Sequence, residues 1–367
     1  SMGRQAELDL IVVGGGIVGL STAVAAQDRG LAVLCFEAAR PGAGQSAGRT
    51  RIFRHRHERP ELVELAVRAR REWERWEMRL GHRLVGDEGA LMAGPDLEDH
   101  AHRFEAADVE YAEVDPSAQR RALPILASLG ETALLDPKGG AIRIRDAVEA
   151  LVGWLGERLV LAEVLGLEQA DGGLEVHTSE GIWRARRTVV CAGSGTDRLA
   201  RPLGLELPVR HGCQLRATFG VREGLAGERL ACLLDRRDTA ASGVYASQCE
   251  GRPCYTVGLH SSEVDLPDGT APIPPAESLS PTVERTSRYV AENLPGLHPE
   301  PVELRLCRTT KLPWGNDAFA AWRQGPVTVF AGNNVFKFAP VIGPLLVDSA
   351  VSDDVAPELA VPAEVPA

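Results

Sequence analysis

Short apolar runs alternate with amphipathic stretches at the beginning of the chain. Leu8–Val13 is a β-branched apolar run typical of a buried strand, and residues 20–29 carry apolar side chains at helical spacing. A second apolar run follows at 31–36 and ends at Glu37. The pattern therefore predicts a strand, a glycine-rich turn, a helix and a second strand.

The same two periodicities predict the elements farther along the chain. Helices are predicted at 59–81, 144–155, 282–294 and 343–351, and apolar strands at 159–167, 173–178, 187–191 and 327–332. Between 215 and 259, short strands alternate with turn residues, which indicates an antiparallel sheet. We expect an α/β fold, with a Rossmann-like domain and a second α+β domain built on that antiparallel sheet.

Composition narrows the possible functions. The 367 residues are 44% hydrophobic and 25% charged, and 40 Lys plus Arg against 51 Asp plus Glu give a net charge of −11. This charge argues against nucleic acid and anionic membranes as partners. The chain shows no apolar run of the roughly 18–20 residues that span a membrane and no signal peptide, so we expect a cytoplasmic protein. The seven cysteines are scattered without a CxxC pair, which predicts neither a disulfide framework nor a metal site.

A glycine motif stands between the first strand and the first helix. Gly14, Gly16 and Gly19 have the GxGxxG spacing that allows a tight turn, a close approach of pyrophosphate and close packing of helix on strand. Glu37 follows at the end of the second strand, where a carboxylate accepts hydrogen bonds from ribose hydroxyls. Dinucleotide binding is favoured over a purely structural turn, and the carboxylate favours FAD or NAD over NADP.

Arginines cluster just after this unit. Arg51, Arg54, Arg56 and Arg59 lie within nine positions of one another, against the acidic balance of the chain. Taken alone, such a cluster is usually a solvated loop or helix start. Its place after the ribose-binding strand, however, puts it near the cofactor, where an arginine fork would bind an anion.

These motifs resemble the D-amino-acid-oxidase superfamily of FAD enzymes, within the branch of monomeric sarcosine oxidase and N-methyltryptophan oxidase. Residues 50–55 match the Thr-Arg-Ile-x-Arg-His segment of that branch, and the likeness extends from Gly14 to about Val351. It implies an FAD-binding domain over 7–85, 140–212 and 303–353, a substrate domain over 86–139 and 213–302, and a flexible tail at 354–367.

The resemblance also implies roles for individual residues. Arg54 and Lys337 would bind a substrate carboxylate, and Arg51 would lie against the flavin as a catalytic residue. Lys337 stands between two phenylalanines at the end of a buried strand, where an anion must hold it. Cys307 matches the cysteine that is thioether-linked to the flavin ring, although a cysteine beside leucines is by residue type alone a core residue.

Two further segments complete the expected site. Tyr245 and His260 have the family's spacing for catalytic pocket residues, and Gly193 belongs to the second half of the FAD signature. The oxidases of this branch carry an oxygen-activating lysine where this chain has Thr256, and a usual tryptophan is replaced by Gly195. A missing cation beside the flavin would slow the reaction with oxygen unless another charge, such as that of His260 or Arg51, replaces it.

The expected function is oxidation of a secondary amino acid, either an N-substituted glycine or a cyclic imino acid, by hydride transfer from the α carbon to flavin N5. The imine would hydrolyse, and oxygen would reoxidise the flavin with formation of hydrogen peroxide. A tailoring step in specialised metabolism and a monomeric state are also expected. Two alternatives stay open: an FAD-dependent amino-acid dehydrogenase with another electron acceptor, and a flavin-binding protein without catalytic turnover.

Overall fold

The computed structural model describes residues 7–48, 51–237, 243–251 and 253–364. Thr50 of the matched motif and positions 365–367 of the predicted tail lie outside these residues. The strands are β1 (Leu8–Val13), β2 (Val33–Glu37), β3 (Arg51–Phe53), β4 (Ala90–Ala93), β5 (Ala112–Val114), β6 (Ala133–Asp136), β7 (Gly140–Ile142), β8 (Leu159–Leu161), β9 (Val164–Ala170), β10 (Gly173–Thr178), β11 (Gly181–Val190), β12 (Arg210–Val221), β13 (Cys232–Asp235), β14 (Val244–Gln248), β15 (Cys254–Leu266), β16 (Leu297–Lys311), β17 (Phe319–Gln324) and β18 (Val327–Gly332). The helices are α1 (Ile17–Asp28), α2 (Pro60–Leu80), α3 (Leu97–Ala106), α4 (Pro116–Ala122), α5 (Ile144–Leu155), α6 (Thr196–Ala200), α7 (Ser280–Asn293) and α8 (Ala339–Ser352).

A largely parallel sheet forms the first layer. Its order is β17-β18-β11-β1-β2-β8, and β10 joins β11 to β9 at the side. Strand β1 pairs in parallel with β2 and β11, and its last four residues are buried. Helices α1, α5 and α8 supply much of the apolar cluster on one face of this sheet, which is why its central strands read as continuous apolar runs. The predicted Rossmann-like unit is confirmed.

Helix boundaries follow local signals that the sequence carries. Helix α1 begins at Ile17, earlier than the apolar spacing predicts, because Gly16 takes the extended N-cap conformation and the helix starts inside the glycine motif. Helix α2 ends at Gly81, which adopts φ 87° at the left-handed C-cap.

A second sheet forms the other layer, in the order β16-β12-β15-β14-β13-β4-β6-β5. Its pairs are antiparallel except for β13 with β4. Helices α4 and α7 contribute to the apolar cluster on one face. The predicted antiparallel sheet is present, although β12 and β15 have 12 and 13 residues and are longer than the short strands expected.

Two strands run across the predicted domain limits. The limit at 302/303 falls inside β16, which pairs along β12 in the second sheet and reaches the nucleotide layer at its C-terminal end. The limit at 212/213 falls inside β12. The domain division itself stays a prediction.

Two further features differ from the sequence expectations. Cys249 and Cys254 form a disulfide at the hairpin between β14 and β15, with Cα atoms 5.4 Å apart, although no disulfide was predicted from their spacing. Antiparallel pairing brings them together, which sequence separation alone does not show. Within the predicted flexible tail, Leu359 is fully buried against the first apolar cluster because Pro357–Leu359 folds back as a short helix.

Among the helices of the described residues, none is both long and apolar enough to cross a membrane.

Candidate active site

The glycine motif forms a turn that no larger residue would fit. Gly14 has φ +109°, and a Cβ there would stand 2.2 Å from the carbonyl oxygen of Cys191. A Cβ on Gly19 would stand 1.8 Å from the carbonyl oxygen of Gly14. Gly16 lines a cleft in front of this turn, at the N-terminus of α1, where the backbone N–H of Ile17 donates to the Ser46 hydroxyl at 2.9 Å.

Glu37 and Gly193 lie on two sides of this turn. The Glu37 carboxylate accepts hydrogen bonds from the backbone N–H of Gly15 at 3.0 Å and of Ala39 at 2.7 Å. These contacts fix the carboxylate, which retains further acceptor positions toward the cleft that it lines. Gly193 has φ +56° and faces the same cleft after β11.

The cleft runs from the glycine turn to the end of the second sheet. Gly14, Gly16, Glu37, Gly193 and Cys307 all line it. The structure thus brings these five predicted residues to one surface. Gly19 does not line the cleft; its lack of a Cβ allows α1 to pack close to β1. A dinucleotide fits this arrangement because the cradle is free of Cβ atoms and exposes a helix N-terminus.

Cys307 and Arg51 lie where the cleft meets a second cavity. Cys307 is half-buried on β16, opposite Gln214 of β12. The Arg51 guanidinium donates hydrogen bonds to the carbonyl oxygens of Gln45 at 2.9 Å and Ala47 at 2.6 Å. Burial, with repulsion from Arg216, lowers the pKa of Arg51 to about 9. Arg51 therefore keeps its charge at neutral pH, and it lines both cavities.

The second cavity continues from the cleft and is rich in cations. It shares Arg51, Gln214 and Arg216 with the cleft. Its basic lining consists of Arg51, Arg54, Arg56, Arg216, Arg236, His260 and Lys337. Such a wall attracts anions strongly, because charges facing a poorly hydrated space are weakly screened.

Arg54 and Lys337 meet at one end of this cavity, as the sequence predicts. Arg54 donates a hydrogen bond to the Asp317 carboxylate at 2.9 Å, and the Lys337 ammonium lies 3.5 Å from the other oxygen of Asp317. Lys337 also donates to the carbonyl oxygen of Asn334 at 2.7 Å. Burial lowers the pKa of Lys337 to about 8, although Asp317 opposes this shift.

Tyr245 and His260 also lie together, on neighbouring strands. Their ring centroids are 5.1 Å apart, and both side chains line the second cavity. The Tyr245 ring lies over Gly258, where any Cβ would clash with it. Burial and the positive charges of Arg236 and Arg54 lower the pKa of His260 to about 3, so this imidazole is neutral at neutral pH. His260 therefore does not replace the missing lysine charge.

Three further residues belong to this site, and the sequence does not predict a role for them. Asp317 lies in the loop between β16 and β17, Arg216 in β12 and Arg236 just after β13. Arg216 places its guanidinium carbon 5.5 Å from the centre of the Tyr245 ring, and its buried Nε has no hydrogen-bond partner among the described residues. No local motif marks any of the three.

The Thr256 hydroxyl also lines the second cavity and lies 2.9 Å from the hydroxyl of Thr218. The position expected to carry an oxygen-activating cation is therefore polar and neutral. Arg216 brings a positive charge to the same cavity from the neighbouring strand.

Comparison with known proteins gives a single family. The model of the FAD-dependent oxidoreductases, DAO, matches residues 9–349. An N-methyl-L-tryptophan oxidase of Yersinia pestis (strain Pestoides F) is 30% identical over 216 residues, which are 56% of this chain and 58% of that protein. The alignment thus spans little more than half the length of this curated relative.

Solved structures share the fold over nearly the whole chain. NikD, described as an unusual amino acid oxidase essential for nikkomycin biosynthesis, superposes with a TM-score of 0.84 at 24% identity, covering 97% of this chain and 98% of that one. An L-proline dehydrogenase from P. horikoshii gives 0.79 at 18% identity over 95% and 94% of the two chains. A glycine oxidase from Geobacillus kaustophilus gives 0.78 at 19% identity over 99% and 100%.

Proposed function

The chain belongs to the family of FAD-dependent oxidoreductases, and on that premise we propose that it oxidises a secondary amino acid. The substrate class is an N-substituted glycine or a cyclic imino acid. Oxidation removes a hydride from the α carbon and leaves an imine, which water hydrolyses or which persists in a ring. Oxygen then accepts the two electrons with two protons and becomes hydrogen peroxide.

The observation that carries this proposal is the pair Arg54 and Lys337 at the end of a cavity continuous with the dinucleotide cleft. A guanidinium and an ammonium that face one cavity favour a carboxylate ligand. FAD, when bound in the cleft, supplies the two-electron oxidising chemistry. A carboxylate held by both cations would orient the α C–H bond toward the cleft, where proximity accelerates the transfer.

The electrostatics of the cavity also suit an amine substrate. An amine must be neutral to release a hydride from the adjacent carbon, and a positively charged, partly dry cavity lowers the pKa of a bound ammonium. Arg51 and Arg216 supply this positive field on the side of the cleft. Tyr245, whose ring centre lies 5.5 Å from the Arg216 guanidinium carbon, and the neutral His260 line the same cavity, where they can accept hydrogen bonds or shape the pocket.

Covalent attachment of the flavin through Cys307 is part of the proposal. The thiol lines the cleft, and the guanidinium groups of Arg51 and Arg216 lie near it. Attachment would replace one S–H and one C–H bond by a bond between Sγ of Cys307 and a carbon of the flavin ring, with the two electrons passing to the flavin. The linkage therefore needs oxygen to restore the oxidised flavin.

The identity of the electron acceptor separates this proposal from its main alternative. Because Thr256 stands where a lysine is expected, the cavity lacks that positive charge, and its absence favours a dehydrogenase that uses another electron acceptor. Arg216, however, supplies a cation to the same cavity. We favour the oxidase because a fixed cation next to the cleft stabilises negative charge as oxygen is reduced. A monomeric state is proposed with it and is checked by light scattering.

The experiment is an anaerobic titration of the purified holoprotein with N-substituted glycines and cyclic imino acids, followed by admission of air. Bleaching of the flavin absorbance with rapid return in air and stoichiometric peroxide supports the oxidase. Bleaching with slow return indicates the dehydrogenase. If none of these amines bleaches the flavin, the proposed substrate class is wrong, and a flavin-binding protein without turnover is indicated.

A further inference from the structure

Asp317 contacts both Arg54 and Lys337, although it does not line the second cavity itself. One oxygen lies 2.9 Å from a terminal nitrogen of Arg54, and the other lies 3.5 Å from Nζ of Lys337. The carboxylate also lies 3.5 Å from Nδ1 of His57. Among the described residues, Asp317 lines a separate surface hollow with neighbours such as Glu61, whereas Arg54 and Lys337 line the cation-rich cavity.

Some of the hydrogen-bond donors of Arg54 and Lys337 are already bound to acceptors within the protein. Arg54 donates to Asp317 and to the carbonyl oxygen of Arg56, and Lys337 faces Asp317 and donates to the carbonyl oxygen of Asn334. A guanidinium has five N–H donors and an ammonium three, so donors remain for a ligand in the cavity. Asp317 thus fixes the directions of both side chains without filling the space between them.

The charges explain why an anion is needed there. Two buried cations at one end of a cavity repel each other, and each loses hydration. Burial opposes ionisation of Asp317, but Lys337 and Arg54 outweigh it and hold the pKa of the carboxyl well below its usual range. One shared carboxylate leaves a net charge of about +1 for the trio, which a substrate carboxylate then neutralises.

We propose that Asp317 is a positioning residue for carboxylate recognition: it keeps Lys337 charged and holds Lys337 and Arg54 in the orientation that binds the substrate carboxylate. This inference rests on the proposed function, because it assumes a carboxylate ligand in the cavity. The charged and titratable groups that face Lys337 in the described structure are Asp317, Arg54 and His57. Only Asp317 is negative, so its loss removes the one charge that favours the ammonium.

Neutralising Asp317 should therefore make carboxylate binding strongly dependent on pH. In Asp317→Asn, Lys337 sheds its proton at lower pH, so we expect the dissociation constant for methoxyacetate to rise about tenfold or more at pH 7.5. Methoxyacetate resembles an N-substituted glycine in which an ether oxygen replaces the amine. Near pH 6, where Lys337 is charged again, affinity should return to within about threefold of wild type. Binding to the holoprotein is followed by the flavin spectrum and by calorimetry.

Two further variants separate positioning from general disruption. Asp317→Glu keeps the charge and should preserve both the affinity and the pH profile. In Lys337→Arg the second cation cannot lose its proton, so adding Asp317→Asn to that variant should weaken binding without changing the pH profile. This double variant also decides the question if Asp317→Asn alone does not fold.

Glu61→Gln is the matched control, because Glu61 lines the same hollow as Asp317 but pairs with Arg59 and is exposed. It should leave the pH profile unchanged. No loss of affinity at any pH in Asp317→Asn would overturn the role of Asp317, and an equal loss at every pH would overturn the claim that it keeps Lys337 charged. If the wild type itself binds no carboxylate, the proposed function fails instead, so the two failures are distinguishable.

Discussion

Replacing Gly19 by alanine tests whether the close approach of α1 to β1 supports FAD binding. An added Cβ would stand 1.8 Å from the carbonyl oxygen of Gly14 and 2.9 Å from its carbonyl carbon, so the helix or the turn must shift. Overpacking of this kind costs about 1–3 kcal/mol, and we expect the free energy of unfolding to fall by that amount. Because the displaced helix N-terminus faces the cleft, a loss of about 1.4 kcal/mol or more in FAD binding, at least tenfold, should accompany it.

The assay compares Gly19→Ala with Gly153→Ala, both in a Cys307→Ser background so that FAD can be removed and titrated back. Gly153 lies in α5, and a Cβ there would meet no atom within 4 Å. Gly153→Ala should therefore keep its FAD affinity and gain about 0.5–1 kcal/mol of stability from the better helix former. Urea unfolding and quenching of FAD fluorescence give both quantities. Equal stability and equal FAD affinity in the two variants would refute the steric argument.

Three other predictions concern the second cavity and the flavin. Lys337→Met should weaken methoxyacetate binding by about 1.5–3 kcal/mol, roughly 10- to 150-fold, whereas Lys138→Met, which removes an exposed lysine, should leave the dissociation constant unchanged. Because the pKa of His260 is lowered to about 3, protonation of this imidazole occurs far below pH 6, and the rate of anaerobic flavin reduction should show no ionisation near pH 6.5; a step there that disappears in His260→Gln would contradict this. Wild type denatured in acid should retain its yellow colour in the protein pellet, and Cys307→Ser should release it; full release from wild type would exclude the covalent link.

The nucleotide-binding part of the fold was predictable because its signals are local. The run Leu8–Val13, the glycine motif and Glu37 specify a strand, a turn and a second strand within about thirty positions. The segment around α3 and α4 carries no comparable signal, and its pattern predicts no elements. The predicted domain limit at 302/303 falls inside β16, whose register with β12 depends on contacts between segments far apart in sequence and is not marked by any local signal.

The residues of the candidate site, too, were predictable only where a local motif marks them. Arg54 and Lys337 stand in recognisable segments, and the structure places both on the cavity where the resemblance to the family implies them. Asp317 has no motif of its own: it meets Arg54 across 263 positions of sequence, and only the fold brings the loop between β16 and β17 against the cation pair. A lone aspartate in a loop reads as a solvated residue until its burial and partners are known.

The net charge of the chain and the charge of the side chains that line the second cavity have opposite signs. The chain carries a net charge of −11, yet six Arg and Lys side chains line the second cavity, so the field inside it differs in sign from the average over the surface. Burial, with repulsion from neighbouring cations as a smaller contribution, lowers the pKa values of Arg51 and Lys337. Asp317 opposes this shift at Lys337 from outside the cavity, where it does not compete for the ligand. A cavity built in this way stays positive enough to bind a carboxylate and to disfavour protonation of the amine beside it, which are the two requirements of the proposed reaction.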